Sequence, residues 1–367
     1  MKVFARTDKI LLFTTICLIV FGIFIFGSAA LGVLSVNESK FYSIIENQLI
    51  FALLGGMVAL LLGTSITFKL YEKFAPHLFG FGLFFTSLVF VPGIQMYHGG
   101  AHRWIHVGPI SLQPSELLKF VFVVMVAMWC TKYAHTFKTI KHGLVPYVGF
   151  LGIVTGVMLL QPDFGTFLIM CAGSFVVYFV GGAKFKHIGI LLAAGVLGFI
   201  LLVSVRPYMM ERMLTFFDAS HDARGSSWQL NQSLIAIGSG GFFGRGYGQS
   251  VQKYNYLPEP IGDSIFAVLG EELGTVGIII LFILYGIVIV RGLGIALGSE
   301  SQFGRLLAVG IVTIFASQIL LNVGSMIGLL PLAGVPLPLV SHGGTALMAM
   351  LFQIGVLLNI SRQSHYV

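Results

Sequence analysis

Long apolar segments recur along the chain, and short polar or glycine- and proline-containing stretches separate them. Each segment has roughly 20 residues, the length that an α-helix needs to cross the hydrocarbon core of a bilayer. The pattern predicts an all-α polytopic membrane protein, with residues 1–367 forming a single domain. Ten spans are predicted, with approximate bounds 10–34, 44–67, 74–95, 114–132, 143–160, 164–181, 187–206, 264–291, 303–324 and 343–361.

Composition and charge agree with a membrane protein. Hydrophobic residues make up 56% of the chain and charged residues only 10%, whereas about a quarter of a soluble domain is charged. Lysine and arginine concentrate in the loops on the side of the N-terminus, so the positive-inside rule predicts that both termini are cytoplasmic. The net charge of +7 reflects this bias and does not indicate a nucleic acid partner.

Two outer segments are unusual. The loop between the seventh and eighth spans, about residues 207–262, is too long for a structureless connection and is predicted to be functional. Within it, Ser226 to Ile237 is predicted to form an amphipathic helix at the membrane surface. The stretch Gly328 to Ala346 is rich in proline and glycine. It is either a re-entrant loop that closes a pocket or an ordinary surface loop.

Four of the few acidic residues lie close together, at Glu259, Asp263, Glu271 and Glu272. Asp263 directly precedes an apolar run, where it can cap a helix, serve in catalysis, or do both. The two glutamates lie about 12 Å further along that helix. Ionisable groups at such depth need a partner or a watery cavity.

Cations are available on the same side. Glu116 and Lys119 are spaced so that they touch on one helix face, and Arg103 lies in the preceding outer loop. An ion pair for stability alone is one interpretation, but a lysine in a span close to its outer end indicates a functional site by default. Together with Asp263, however, these groups suit a diphosphate lipid, because cations neutralise the leaving diphosphate and a carboxylate takes a proton. The long loop adds Arg206, Arg212, Arg224 and Arg245.

Other motifs carry weaker signals. "QPSE" and "QPDF", at residues 113–116 and 161–164, each open a span, where proline and an acid favour the first helical turn. Three histidines spaced by four can be metal ligands, but glycines interrupt the pattern and loop histidines are favoured; they are His98, His102 and His106. The cysteines fall in separate spans and are predicted to be small buried residues; they are Cys17, Cys130 and Cys171.

The segments "GGAHRWIHVGPISLQPSELLK", "QPDFGT", "LNQSLIAIGSGGFFGRGYGQSVQKYNYLPEPIGDSIFAVLGEELG" and "NVGSMIGLLPLAGVPLPLVSHGGTA" together resemble the SEDS family (shape, elongation, division and sporulation), which includes FtsW, RodA and SpoVE. The resemblance implies ten spans in the bacterial cytoplasmic membrane and a peptidoglycan glycosyltransferase, with the FtsW branch favoured. Such enzymes join lipid II units, release undecaprenyl diphosphate, and work with a class B penicillin-binding protein and other division or elongation proteins.

The resemblance also implies functional residues. The essential aspartate of the family corresponds to Asp263, which we expect to act as general base. The predicted substrate-binding residues are Arg103, Trp104, Glu116, Lys119, Glu259, Arg245 and Ser341. No protein metal site is expected, although an assisting divalent cation, Mg²⁺ or Mn²⁺, is left open. The chain departs from the family pattern at Gly262, Ser264 and His342.

Two other functions are compatible with a polytopic protein. One is a lipid II flippase or another transporter, since transporters also contain broken helices and intramembrane acids. Such a carrier should place its charged site near the midplane, whereas the predicted site here lies near one face. The other is a scaffold for division proteins, which would not require the acids.

Overall fold

The protein is described here by a computed structural model, which covers residues 7–93, 95–98, 101–107, 110–217 and 226–363. The two chain ends and Arg224, on which predictions were made, lie partly or wholly outside these ranges. The helices in chain order are α1 (Lys9–Leu34), α2 (Glu38–Ser65), α3 (Phe68–Phe90), α4 (Pro114–Lys132), α5 (Ile140–Leu160), α6 (Phe164–Val180), α7 (Phe185–Val205), α8 (Pro207–Phe217), α9 (Ser226–Gly240), α10 (Ile265–Gly298), α11 (Gln302–Met326) and α12 (Gly344–Ser361).

The polytopic helical fold is confirmed. Within the described ranges, nine helices are long and apolar enough to cross a membrane, and α6 is a shorter apolar helix. These ten correspond to the predicted spans, and α8 and α9 occupy the long loop between the seventh and eighth. The eighth span continues past Arg291, because the Arg291 guanidinium pairs with the Asp8 carboxylate at 2.6 Å and is thereby neutralised.

A small antiparallel sheet was not predicted. Its strands are β1 (Gln95–His98), β2 (Ala101–Val107) and β3 (Ile110–Leu112), in the order β1-β2-β3. The third span ends at Phe90, so the prediction that it reaches residue 95 is wrong. The strands are short and glycine interrupts them, so they give no period-two pattern long enough to recognise.

One face of the bundle gathers the start of α1 and the ends of α10 and α12. The Asp8 amide donates to the Ser361 hydroxyl at 3.0 Å, and Arg291 pairs with the Asp8 carboxylate. The α2–α3 turn lies there too, since the Asn359 side-chain carbonyl accepts from the Phe68 amide at 3.0 Å. The loops that follow α1, α3, α7 and α11 therefore lie at the opposite face.

The stretch between α11 and α12 is a re-entrant loop, which we define as residues 327–343. Its backbone is irregular, and Leu337 and Val340 are each 1% exposed. The Tyr285 hydroxyl, deep within α10, donates to the Pro338 carbonyl at 2.7 Å. The interpretation as an ordinary surface loop is therefore wrong, and the re-entrant interpretation is confirmed.

Helix α9 is present as predicted but does not lie flat on the surface. Ser227, Ser233 and Ala236 are fully buried, and the Ser233 hydroxyl contacts the Met326 sulfur at 3.4 Å. The exposed side carries apolar residues such as Ile235. This is the reverse of a soluble amphipathic helix, and it suits a helix wedged against the bundle with lipid outside.

Helix α10 is broken at Gly274, where φ is 63° and ψ is −159°. The two carbonyls before the break, of Glu271 and Glu272, accept from the amides of Arg245 and Gly246, each at 3.0 Å. After the break, the Thr275 amide donates to the Gly241 carbonyl at 3.0 Å. A segment of the outer loop thus replaces the hydrogen bonds that the break removes.

The same segment surrounds the two glutamate side chains. The Glu271 carboxylate accepts from the Ser250 hydroxyl at 2.6 Å and the Val251 amide at 3.0 Å. The Glu272 carboxylate pairs with the buried Lys253 ammonium at 2.8 Å and accepts from the Ser28 hydroxyl of α1 at 2.6 Å. These two acids therefore have a structural role: they fasten the outer loop to α10 and α1.

Gly274 tests whether this break is needed for stability. A Cβ at Gly274 would overlap the Gly244 backbone nitrogen, and its φ is one that L side chains rarely adopt. We expect Gly274→Ala to destabilise the protein by about 2–5 kcal/mol, from backbone strain and overpacking. Thermal unfolding in detergent measures the loss.

Gly286→Ala is the matched control on the same helix. A Cβ at Gly286 meets nothing within 4 Å, so this change should be neutral or stabilise by up to about 1 kcal/mol through helix propensity. Equal effects of the two substitutions would contradict a required break at Gly274.

Candidate active site

Asp263 lies two residues before α10, whose N-cap is Ser264, and it is partly exposed. Its own carbonyl accepts from the Asn322 side-chain amide at 2.8 Å. The preceding carbonyls are held too, because Gly262 accepts from the Ser341 hydroxyl at 2.7 Å and Ile261 from the His342 amide at 2.8 Å. We call residues 261–263 the aspartate segment. Its backbone is fixed to α11 and the re-entrant loop, while the carboxylate remains available.

The surroundings of Asp263 raise the pKa of its carboxyl group to about 6. Removal of water by burial is the largest cause, and the nearby Glu259 carboxylate adds to it. The guanidinium groups of Arg212 and Arg103 act in the opposite direction, and Asp163 raises the pKa slightly. A carboxylate with this pKa is mostly ionised at neutral pH but is a stronger base than an ordinary aspartate.

Two arginines approach this carboxylate from different elements. A Cβ at Gly334 would lie 3.6 Å from an Asp263 carboxylate oxygen and 3.8 Å from an Arg212 guanidinium nitrogen, so the two groups flank the same point of the re-entrant loop. Arg212, on α8, also donates to the Leu332 carbonyl. Arg103, on β2, donates to the Pro162 carbonyl, and its buried Nε–H has no acceptor among the described residues.

Arg212 was not singled out among the arginines of the long loop by sequence reasoning. Its place depends on contact with the re-entrant loop, more than a hundred residues away, and no local pattern marks that contact. Asn322 was also missed, although its partners Val335 and Asp263 are only 13 and 59 residues away. A usable signal did exist there, because Gln318 and Asn322 are amides four residues apart in an apolar span and so lie on one helix face.

Glu116 and Lys119 lie behind the re-entrant loop. Their charged atoms are 2.9 Å apart, and both side chains are almost fully buried, at 3% and 1% exposure. The Lys119 ammonium also donates to the Gln318 side-chain carbonyl at 3.1 Å. Both side chains are therefore enclosed by protein, and Lys119 connects to the re-entrant loop through Gln318.

The remaining predicted site residues divide between two places. Glu259 is exposed and influences Asp263, while Ser341 is 5% exposed and ties the re-entrant loop to the aspartate segment. Trp104 is partly exposed on β2, opposite Met96. Arg245 lies instead at the break of α10, 3.7 Å from the Glu271 carboxylate.

The two Gln-Pro motifs meet at Asp163. Its carboxylate accepts from the Gln113 side chain at 3.0 Å, from the Ser115 hydroxyl at 3.3 Å and from the Thr166 amide at 3.3 Å. Asp163 therefore caps α6 and holds the start of α4 beside it. The repeated motif therefore has a structural explanation, and these hydrogen bonds occupy the Asp163 carboxylate.

No group of three or more His, Cys, Asp or Glu that could hold a metal occurs among the described residues. Near Asp263, the Asp163 carboxylate is already occupied by hydrogen-bond donors, so Asp263 and Glu259 remain. Two carboxylates can hold Mg²⁺ only when substrate phosphates and waters complete its shell. The donor set therefore fits a cation that arrives with a diphosphate, and it does not form a cage of protein ligands.

The departures from the family pattern leave the aspartate segment intact. The Ser264 hydroxyl accepts from the Gln229 amide at 2.9 Å. His342 stacks on Phe26 with ring centres 5.7 Å apart, and its Nδ1 donates to the Gln48 carbonyl oxygen at 2.9 Å. Because the His342 backbone holds Ile261, the side chain at that position can change without releasing the segment.

The raised pKa of Asp263 has a consequence for stability. Because the folded protein disfavours the charged form, stability is greatest below the ordinary pKa of 3.8 and falls as the pH rises through about 6. Asp263→Asn removes this cost, so its unfolding temperature should exceed that of the wild type at pH 7.5. The gain is at most about 3 kcal/mol, and it should vanish near pH 4.

Asp163→Asn should instead lower the unfolding temperature. It places an NH₂ group against the donors whose hydrogen bonds Asp163 now accepts. Thermal unfolding in detergent across this pH range measures both variants. A wild type more stable than Asp263→Asn at pH 7.5 would contradict the assigned environment.

Comparison with known proteins agrees with this architecture. Stage V sporulation protein E of Bacillus subtilis (strain 168) is 36% identical to this chain over 361 residues, covering 98% of each. A probable peptidoglycan glycosyltransferase FtsW of Trichlorobacter lovleyi is also 36% identical, covering 97% of this chain and 93% of the relative. Each relative is nearly the same length as the region matched.

Among solved structures, a chain from a peptidoglycan synthase complex, described as coordinating polymerization and crosslinking, superposes with a TM-score of 0.79 at 26% identity over 98% of both chains. The rod shape determining protein RodA of Thermus thermophilus gives 0.70 at 26% identity, again over 98% of both. The model of the FtsW/RodA/SpoVE family, described as "Cell cycle protein", matches residues 9–366. The chain therefore belongs to this family, the SEDS proteins.

Proposed function

We propose that this protein is a peptidoglycan glycosyltransferase that polymerises lipid II into glycan strands, with Asp263 as general base. The observation that carries the proposal is a partly exposed carboxylate with a raised pKa, flanked by Arg103 and Arg212 at the loop end of an apolar helical bundle. The names of the relatives and of the solved complex support the same reaction class.

The chemistry is an inverting glycosyl transfer. A hydroxyl oxygen of the acceptor sugar attacks the anomeric carbon of the donor, and its proton passes to an Asp263 carboxylate oxygen. The bond from the anomeric carbon to the diphosphate oxygen breaks, and undecaprenyl diphosphate leaves with the electron pair. A base with a pKa near 6 is well matched to neutral pH, and such a base typically contributes 10²–10⁴-fold to the rate.

The arginines are assigned to the diphosphate. The buried Nε–H of Arg103 lacks an acceptor among the described residues, and an anionic oxygen would supply one. Arg212 lies close to the Asp263 carboxylate beside Gly334. Guanidinium groups bind phosphate oxygens through paired hydrogen bonds, so two of them would hold the leaving group while its charge develops.

The position of the charges favours surface chemistry over transport. Glu116 and Asp263 lie at the N-terminal ends of α4 and α10, and Asn322 lies near the C-terminal end of α11, so all three lie toward the face opposite the start of α1. A carrier should instead present its site at the midplane. The lysine and arginine bias makes the opposite face cytoplasmic, together with both termini. The site would then face outwards, where lipid II approaches from the outer leaflet of the bacterial cytoplasmic membrane.

The predicted partner is a class B penicillin-binding protein, which would cross-link the strands that this protein makes. The complex found among similar structures supports such a pairing, and the description of the family as a cell cycle protein supports a role in cell division. A divalent cation, Mg²⁺ or Mn²⁺, would act by neutralising the diphosphate, with Asp263 and Glu259 as the available carboxylates.

Asp263→Asn tests the general base. The change keeps the shape of the side chain but removes the proton acceptor, so polymerisation should fall by at least about 100-fold. Purified protein with its transpeptidase partner is incubated with labelled lipid II, and gels report glycan length. Glu38→Gln, an exposed acid outside the site, is the control and should keep full activity. Normal strands from Asp263→Asn would end the mechanism.

Arg212→Gln tests the flanking cation. Because Arg212 lowers the pKa of Asp263, its loss should raise that pKa and shift the acidic limb of the rate profile to higher pH. The KM for lipid II should rise roughly tenfold through the lost charge-assisted contact. Arg206→Gln, an exposed arginine on the same side, is the matched control. An unchanged pH profile and KM in Arg212→Gln would refute the assignment.

A further inference from the structure

Two amide side chains lie one helical turn apart near the end of α11. Gln318 and Asn322 are each 1% exposed, in a helix that is otherwise largely apolar. Buried amides in a spanning helix are retained where they satisfy other buried polar groups. Both of these side chains face the re-entrant loop, and we call them the clamp amides.

The orientation of Gln318 is set by a charge. Its carbonyl oxygen accepts from the Lys119 ammonium at 3.1 Å, and its nitrogen donates to the Pro336 carbonyl at 2.9 Å. An ammonium can only donate, so a flipped amide would place two donors against each other. Glu116, 2.9 Å from the Lys119 ammonium, keeps that charge in place. The buried ion pair thus determines which end of the Gln318 amide meets the loop.

The second amide joins the loop to the aspartate segment. The Asn322 nitrogen donates to the Val335 carbonyl at 2.7 Å and to the Asp263 carbonyl at 2.8 Å. Both neighbours are acceptors, so only the NH₂ group can occupy this place. A single side chain therefore fixes the distance between the loop and the backbone of the aspartate.

Consecutive loop carbonyls, of Val335 and Pro336, are held by consecutive turns of α11. The loop is rich in proline, which has no N–H, so it can offer few hydrogen bonds of its own. Ser341 adds a third tie, since its hydroxyl accepts from the Leu337 amide at 2.8 Å and donates to the Gly262 carbonyl at 2.7 Å. The contacts form one continuous path from Lys119 to Asp263.

We propose that Gln318 and Asn322 are positioning residues for Asp263, and that Glu116 and Lys119 act on the reaction through Gln318 and not by touching the substrate. This inference rests on the proposed function. A base must be held close to the proton that it removes, and a displacement of about 1 Å can cost 10²-fold in rate. Loosening the path should therefore lower kcat while the affinity for lipid II is kept.

The experiment compares steady-state polymerisation of lipid II by the full-length protein with its transpeptidase partner. Gln318→Leu and Asn322→Leu should each lower kcat about tenfold and leave KM within about twofold. Gln318→Asn, which keeps an amide on a shorter side chain, should recover part of the loss. Gln353→Leu is the matched control, because Gln353 is a fully buried amide of α12 with no hydrogen-bond partner among the described residues. It should leave kcat unchanged.

A combined variant distinguishes whether Glu116 and Lys119 act through Gln318 or by direct contact with the substrate. Glu116→Gln and Lys119→Met are made together, so that neither charge is left buried and unpaired. If the pair acts through Gln318, adding Gln318→Leu should lower kcat no further. If Lys119 contacts the diphosphate, the pair variant should raise KM, and the losses should multiply. That second result would overturn the inference.

A milder pair of substitutions distinguishes a loss of positioning from a failure to fold. Ser341→Ala removes one tie to the aspartate segment and should lower kcat by a few-fold. Ser325→Ala removes a buried hydroxyl that bonds only to its own helix, at the Asn322 carbonyl, and should have no effect. Full kcat in Ser341→Ala and in both clamp-amide variants would refute positioning, whereas no glycan from the wild type would refute the proposed function itself.

Discussion

Irregular backbone at membrane depth must have its hydrogen bonds supplied by protein, since lipid supplies none. This chain has two such places, the break in α10 at Gly274 and the re-entrant loop before α12. At the break, the outer loop supplies the missing donors and acceptors through its backbone. At the re-entrant loop, side chains of α8, α10 and α11 donate to its carbonyls. The geometry around Asp263 depends on both sets of hydrogen bonds.

Asp263, which precedes α10, and the pair Glu271 and Glu272, which lie within α10, illustrate opposite uses of a carboxylate. Glu271 and Glu272 are surrounded by amides, hydroxyls and the Lys253 ammonium, which compensate for their complete burial. Asp263 is held by its backbone instead, and its carboxylate keeps a raised pKa. Saturating a carboxylate with donors fixes structure but weakens it as a base. Only the second arrangement leaves a group suited to proton transfer.

The sequence was sufficient where local rules decide the outcome. Apolar runs identified the nine helices of spanning length and the shorter apolar α6 within the described ranges. The density of proline and glycine limited residues 328–346 to irregular backbone. Asp263 stood out because an acid before an apolar run is rare in such a chain. The roles of Glu271 and Glu272 could not be read, because their partners come from a loop some 20 residues earlier and from α1.

Residues whose role depends on distant contacts were the hardest to assign from the sequence. Arg212 gains significance only through the re-entrant loop, and the link from Lys119 through Gln318 to that loop has no local sequence signal. Spacing correctly paired Lys119 with Glu116, but spacing cannot show what lies above a helix face. The unexpected sheet matters for the same reason, since it delivers Arg103 to the site from outside the bundle.

The proposed base and the proposed phosphate-binding groups are therefore held by different parts of the fold. Asp263 is joined to the densely packed α11 and to the re-entrant loop. Arg212 extends instead from α8, where most of the described side chains are exposed or partly exposed. A charge on a lightly packed element can adjust to a ligand at small cost, since few contacts change. A base that is hydrogen-bonded to the packed core cannot adjust in this way. In the proposed mechanism, this division would let the site accept two bulky lipid-linked sugars while the distance that governs proton transfer stays constant.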